Sequence, residues 1–148
     1  MQLRELNIGN LKRLPKSIGL LKHLENIDMK DTEEPFPQEF FHLHSLKYLR
    51  LQTTMNPLPD SLGNLTNLQH IDLSRSKHLQ GLPPSFGNLT NLRRIDLNGC
   101  CRLQILPDSF GMLTRLEHLS LPGCEELTLS RETFEHIRTL TRLDFSGC

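Results

Sequence analysis

Seven histidines and four cysteines are the residues of this 148-residue chain best equipped for chemistry. His42-Leu43-His44 sets two imidazoles around one leucine, a spacing that could offer two nitrogens to a metal. The same spacing arises wherever a chain dips one residue into a core, and Leu43 is expected to point inward between two solvated imidazoles. His70 and His118 occupy equivalent positions in the chain, but Arg94 holds the position between them, so no third ligand completes a metal site. Cys100, Cys124 and Cys148 recur every 24 residues, with Cys101 beside the first. A reactive thiol needs exposure and a cationic or basic neighbour. Thiols that recur in step belong instead to a buried structural position, and Cys101 beside Arg102 is the one mild exception. Asn64-Leu65-Thr66 and Asn88-Leu89-Thr90 match the N-glycosylation acceptor, yet both recur as part of one turn and read as coincidence. A Gly-Lys-Ser/Thr phosphate loop is absent from the sequence. No catalytic residue, cofactor or metal is expected within the chain.

The recurrence itself is the stronger signal. The pattern L-x-x-L-x-L opens at Leu3, Leu24, Leu46, Leu68, Leu92, Leu116 and Leu140, at intervals of 21, 22, 22, 24, 24 and 24 residues. Alternating residues after each opening leucine read as a short strand. One inward row comprises Leu6, Ile27, Leu49, Ile71, Ile95, Leu119 and Leu143. The other comprises Ile8, Met29, Leu51, Leu73, Leu97, Leu121 and Phe145. No single unit can bury these alone, so each coil must stack on the next into a parallel sheet. The division expected is a single domain, 1–148, of coils starting at 3, 24, 46, 68, 92 and 116, with a partial seventh at 140.

After each strand the ninth position of the unit holds Thr32, Thr54, Ser76, Cys100, Cys124 and Cys148, small side chains able to satisfy open backbone groups in a turn. The return segments read Leu14-Pro15-Lys16-Ser17-Ile18-Gly19, Leu58-Pro59-Asp60-Ser61-Leu62-Gly63, Leu82-Pro83-Pro84-Ser85-Phe86-Gly87 and Leu106-Pro107-Asp108-Ser109-Phe110-Gly111. Proline ends strand pairing, serine is expected to cap a short helical turn, and glycine to end it. Leu65, Leu89 and Leu113 then close the convex side. Two coils depart. The second offers Phe36-Pro37-Gln38-Glu39-Phe40-Phe41, and the sixth runs Ser130-Arg131-Glu132-Thr133-Phe134-Glu135-His136-Ile137, expected to be the most helical stretch.

Seventeen basic residues balance seventeen acidic ones, which argues against a nucleic-acid or anionic-membrane partner. No apolar run reaches the length of a membrane span. The opening Met1-Gln2-Leu3-Arg4-Glu5 lacks the build of a secretory signal, and unpaired thiols suit a reducing compartment, so a cytoplasmic or nuclear location is expected. The uncapped first and last strands suggest a piece of a longer array, or coils that associate end to end.

The string from Leu92 to Leu116, L-x-x-L-x-L-x-x-C-x-x-L-x-x-L-P-x-S-F-G-x-L-T-x-L, resembles plant-type leucine-rich repeats. Asn88-Leu89-Thr90-Asn91-Leu92 and Leu97-Asn98-Gly99-Cys100 strengthen the likeness, which extends over residues 3–148. A period of 20 to 29 residues belongs to the same class. The chain looks most like the sensor region of plant nucleotide-binding disease-resistance proteins. Bacterial effectors injected into plant cells, some carrying a ubiquitin-ligase domain, have similar repeats. The resemblance implies an α/β fold: a right-handed horseshoe solenoid with a parallel sheet on the concave face and short helical or irregular turns on the convex face.

In that fold the outward strand residues face a partner. One column holds Glu5, Asn26, Tyr48, His70, Arg94, His118 and Arg142, and the other Asn7, Asp28, Arg50, Asp72, Asp96, Ser120 and Asp144. The candidate partner-binding residues are Tyr48, Arg50, His70, Asp72, Arg94, Asp96, His118, Arg142 and Asp144, with Tyr48, Arg50 and Arg94 as anchors, since Tyr and Arg are enriched in interface hot spots. The competing reading is that Arg94 and Arg142 merely neutralise Asp72, Asp96 and Asp144 across the sheet. The function expected is protein recognition without catalysis, as the sensing part of a plant-type immune receptor. The alternatives are the targeting domain of a bacterial ubiquitin-ligase effector and a freestanding scaffold.

Overall fold

The computed structural model describes residues 2–9, 11, 13–32 and 36–147. Seven strands lie in one parallel sheet in sequence order: β1 (Glu5–Gly9), β2 (Asn26–Thr32), β3 (Tyr48–Thr53), β4 (His70–Asp72), β5 (Arg94–Asp96), β6 (His118–Ser120) and β7 (Arg142–Asp144). Each strand pairs with the next at equivalent repeat positions, for example Ile71 with Ile95 and Ile95 with Leu119.

Both inward rows are where the repeat places them. Ile27, Leu49, Ile71, Ile95 and Leu119 are buried, as are Met29, Leu51, Leu73, Leu97 and Leu121. The terminal members Leu6, Ile8, Leu143 and Phe145 are partly open, because each has a neighbouring coil on one side only. Each fully buried aliphatic side chain stabilises the fold by about 1.5–3 kcal/mol, so the inner coils carry most of the stability.

The polar turn ladder forms. Ser76 Oγ donates to the Leu51 carbonyl at 3.4 Å, Cys100 Sγ to that of Leu73 at 3.2 Å, and Cys124 Sγ to that of Leu97 at 3.3 Å. Each side chain satisfies a carbonyl of the coil before it. One member differs from expectation: the buried residue in the third coil is Thr53, and Thr54 is exposed. Thr53 Oγ1 accepts from the Met55 amide at 3.0 Å, and the Thr53 amide donates to Ser76 Oγ at 3.2 Å. The long strands β2 and β3 shift register between Met29 and Thr32, which moves the turn by one residue. Cys148 and the Thr32 side chain lie outside the described residues.

The convex side carries short 3₁₀ turns at Lys16–Leu20, Gln38–His42, Asp60–Asn64, Pro84–Asn88 and Asp108–Met112. The serines do not cap them. Pro15, Pro37, Pro59, Pro83 and Pro107 hold the cap position, with no side-chain cap bond. The fixed proline φ starts the turn, and its carbonyl accepts the amide three residues on, as from Phe86 to Pro83 at 2.9 Å. Ser109 Oγ instead donates back to the Pro84 carbonyl at 2.7 Å.

Nor do the glycines end the turns. Gly19, Gly63 and Gly87 are where adjacent coils come closest: a Cβ at Gly87 would lie 2.6 Å from the Ser109 carbonyl oxygen, and one at Gly63 2.5 Å from that of Ser85. Phe86 and Phe110 stack with ring centroids 6.4 Å apart. In the second coil Phe36, Phe40 and Phe41 form an aromatic cluster. The sixth coil holds the sole α-helix among the described residues, α1 (Arg131–Ile137), in the stretch expected to be most helical. Ser130 Oγ caps it by accepting from the Thr133 amide at 3.1 Å.

Candidate functional site: the concave face

Parallel register turns the two outward sequence columns into two physical rows. Glu5, Asn26, Tyr48, His70, Arg94, His118 and Arg142 are partners in succession, and so are Asn7, Asp28, Arg50, Asp72, Asp96, Ser120 and Asp144. With strands about 4.8 Å apart, seven of them make a strip roughly 30 Å long. All nine candidate residues lie on it, but its two halves are organised differently.

In the N-terminal half the side chains are engaged with one another. Arg50 lies between two carboxylates, with Nη1 3.7 Å from Asp28 Oδ2 and Nε 3.3 Å from Asp72 Oδ2. Tyr48 meets His70 edge to face at 4.8 Å between ring centroids, and Asn26 donates to Glu5 at 3.0 Å. Burial, reinforced by the Asp72 charge, raises the Tyr48 phenol above its ordinary pKa. Burial also holds His70 below the usual histidine value, and the adjacent Arg94 adds to this, so both favour the neutral imidazole.

In the C-terminal half, Arg94, Asp96, His118, Ser120, Arg142 and Asp144 surround a shallow hollow of about 230 Å³, floored by Ile95 and Leu119. Arg94 and Arg142 are exposed, and neither forms an ion pair among the described residues. Neither makes the close ion pair expected with the acidic column, although the Arg142 charge helps to hold Asp144 ionised; Arg50 makes such pairs with Asp28 and Asp72. His118 Nδ1 is buried with no hydrogen-bond partner among the described residues.

The aspartates also have a local duty that sequence reading missed. Asp72 Oδ1 accepts from the Ser74 amide at 2.9 Å and from the Ser74 hydroxyl. Asp96 Oδ1 accepts from the Asn98 amide at 3.0 Å, and Asp144 Oδ1 from the Ser146 amide at 2.9 Å. These Ser146 bonds hold the Asp144 carboxyl below the usual carboxylate range. The signal was present as Asp-x-Ser/Asn, the pattern of an aspartate folding its own chain two residues on. Asp96 and Asp144 therefore keep one oxygen for the turn and leave the other toward the surface, whereas Asp72 gives its second oxygen to Arg50.

A second missed feature borders the strip. Glu25 sits between Arg4 at 3.3 Å and Lys47 at 2.9 Å, and Arg93 meets Glu117 at 2.7 Å, each one residue ahead of the outward column.

The other chemical candidates are apart from this face. Leu43 is fully buried while His42 and His44 are exposed, with rings 6.3 Å apart. Among the described residues, no three His, Cys, Asp or Glu side chains gather as a metal site would require. Cys100 is a buried donor whose pKa burial, then the neighbouring Cys124, pushes up to about 12, so it carries no thiolate at neutral pH. No helix among the described residues is long and apolar enough to cross a membrane.

A sequential parallel sheet with short convex turns defines a solenoid that presents a broad regular face rather than an enclosed cleft. The Leucine-rich repeat region family matches residues 37–145, and the chain belongs to the leucine-rich-repeat family. Domains of this kind are generally protein–protein interaction modules. Among curated relatives, the volume-regulated anion channel subunit LRRC8A of human, mouse and rat is 40% identical over 77 residues, 49% of this chain and 10% of that protein's length. Among solved structures, a leucine-rich-repeat protein of Leptospira interrogans superposes with TM-score 0.73 at 34% identity, over 90% of this chain and 34% of its own. The leucine-rich repeat domain of the type III effector XopL gives 0.71 at 22% identity, over 99% of this chain and 69% of its own, and shares the fold. The chain spans about a tenth of the length of the curated relatives and about a third of the Leptospira chain.

Proposed function

We propose that this chain is a non-catalytic recognition domain that holds a protein partner on its concave sheet, and that it serves as part of the sensing array of a plant-type intracellular immune receptor. One observation carries the recognition reading: seven strands in register present two variable rows that include Tyr48 and the arginines at 50, 94 and 142. Aromatic and arginine side chains on a rigid sheet lose little freedom on binding and desolvate well, which suits them as anchors. The immune role rests on the repeat string from Leu92 to Leu116 and its likeness to plant receptors, and it implies a cytoplasmic or nuclear protein longer than this chain. A second reading, the substrate-targeting domain of a bacterial ubiquitin-ligase effector, draws on the fold shared with the repeat domain of the type III effector XopL.

The test is a pull-down from plant cell extract, with wild type against a Tyr48→Ala, Arg50→Ala, Arg94→Ala variant whose fold is verified by circular dichroism. A partner retained by the wild type and lost by the folded variant is expected. Equal retention by both would move the site off the concave face.

A further inference from the structure

We propose that the C-terminal half of the concave face is built to take an acidic segment of the partner protein, with carboxylates set against Arg94 and Arg142. The inference rests on the concave-recognition reading above and deepens it. Three observations converge on the hollow of about 230 Å³ between β5, β6 and β7.

The first is positive charge not tied up in an ion pair. Arg50 is committed to Asp28 and Asp72, and Arg93 to Glu117, whereas Arg94 and Arg142 are exposed on the lining without an ion pair among the described residues, Arg142 acting on Asp144 only through its charge. A planar guanidinium with free donors matches a carboxylate in bidentate geometry. The second is spacing. Arg94 and Arg142 flank His118 in one row, two strands apart, about 10 Å at the backbone. Arginine side chains on either side of the hollow can close on one carboxylate or hold two from an extended segment. The third concerns the acids on the same lining. Asp96 and Asp144 each give one oxygen to a turn amide, of Asn98 and Ser146, and they stand one row further along the strands. The hollow is thus polarised, basic along one row and acidic along the next. An incoming acid is steered to the arginine row, and backbone N–H groups of the same segment can meet the free aspartate oxygens.

The test uses labelled decapeptides of alternating Glu and Ser, with Gln/Ser and Lys/Ser versions as controls, read by fluorescence anisotropy at low salt. The Glu peptide should bind the wild type at least about tenfold more tightly than either control, the effect of one charge-assisted contact. Arg94→Gln with Arg142→Gln should lose at least about that factor, while Arg93→Gln with Arg115→Gln, which border the strip or bond Asn91 and do not line the hollow, should stay within about twofold. Salt should weaken the interaction. No preference for Glu over Gln, tightest binding of the Lys peptide, or equal loss in both variant pairs would overturn the inference. So would a partner lost by the Tyr48, Arg50, Arg94 triple variant yet retained by the Arg94→Gln, Arg142→Gln pair. That result would leave concave recognition standing.

Discussion

The convex and concave sides of the same coils obey opposite rules. On the convex side the chain repeats itself nearly letter for letter, Pro-x-Ser-Phe-Gly at 83–87 and again at 107–111, because each turn packs against the next with no space between them. On the concave side equivalent positions differ from strand to strand, His70, Arg94, His118, Arg142, because solvent is their neighbour and makes no steric demand. Repetition marks where coils touch, and variation marks where the chain is free to specify something else. That division, more than any single residue, is the ground on which the concave strip is proposed as the working surface.

The comparison is sharpest where the convex rule should fail. Gly87 and Gly111 stand in identical Ser-Phe-Gly settings, but a Cβ at Gly87 would meet Ser109 at 2.6 Å, while one at Gly111 meets nothing within 4 Å. Coil six replaces the next 3₁₀ turn with α1, which leaves that space open. Gly87→Ala should therefore destabilise by about 1–3 kcal/mol through forced separation of two backbones. Gly111→Ala should stabilise by about 0.4–1 kcal/mol by restricting the unfolded chain. Urea melts of the two variants check this. Like-signed shifts would mean that sequence repetition, not coil contact, explains the glycines.

A smaller effect sits at the turn between the two faces. Gly99, Gly123 and Gly147 adopt φ of 72°, 71° and 76°, and Arg75 occupies the equivalent place at φ 63°. A left-handed conformation costs a non-glycine residue about 1–2 kcal/mol, against about 0.4–1 kcal/mol that glycine loses through unfolded-state entropy. Arg75→Gly should thus gain roughly 0.5 kcal/mol, or about 1–2 °C in Tm. A lower Tm would show that the Arg75 side chain contributes more than its backbone strain costs.

The fold was legible in the sequence because the leucine period and the period-two alternation are both direct records of coil contact. Every inward row and both outward columns could be assigned from Leu92 to Leu97 and its copies. Harder to read were features set by neighbouring coils rather than by local pattern. Thr53 replaced Thr54 because a register shift in β2 and β3 lies beyond any single repeat. The serines of the return segments looked like caps, yet Ser109 donates to the coil behind it. On the concave face the residues were identifiable but their partners were not. Which arginine neutralises which acid depends on rotamers across strands, and Arg50, named as an anchor, turned out to be the one engaged.

The two halves of the concave strip give the next prediction. Arg50→Ala leaves Asp28 and Asp72 facing each other across β3, with Asp28 Oδ1 already buried and without a hydrogen-bond partner among the described residues. It should cost on the order of 1 kcal/mol, the upper range for a partly exposed pair. Arg94→Gln removes no ion pair and should change stability by less than about 0.5 kcal/mol. Thermal melts of both variants at low and high salt distinguish the halves, since the Arg50 contribution should shrink as salt rises. Equal costs would erase the distinction between an engaged half and an open one.

The smallest effect tests whether the two halves communicate at their boundary. Tyr48 is the chain's single tyrosine and there is no tryptophan, so alkaline absorbance near the tyrosinate band reports one phenol. Its pKa lies above the ordinary value, chiefly from burial, while Arg50 pulls it down. Arg50→Ala should therefore raise it further. A folded pKa above the unfolded one means stability present below the ordinary tyrosine value and lost as pH rises through the folded value. His70 runs the other way. Its pKa is depressed by burial and then by Arg94, so its contribution is present above the ordinary histidine value and lost as pH falls through the folded one. Arg94→Gln should move the His70 titration upward in an imidazole NMR series while leaving Tyr48 in place. An unmoved His70 would mean that solvent screens Arg94 completely, and that β4 and β5 form a boundary between independent halves.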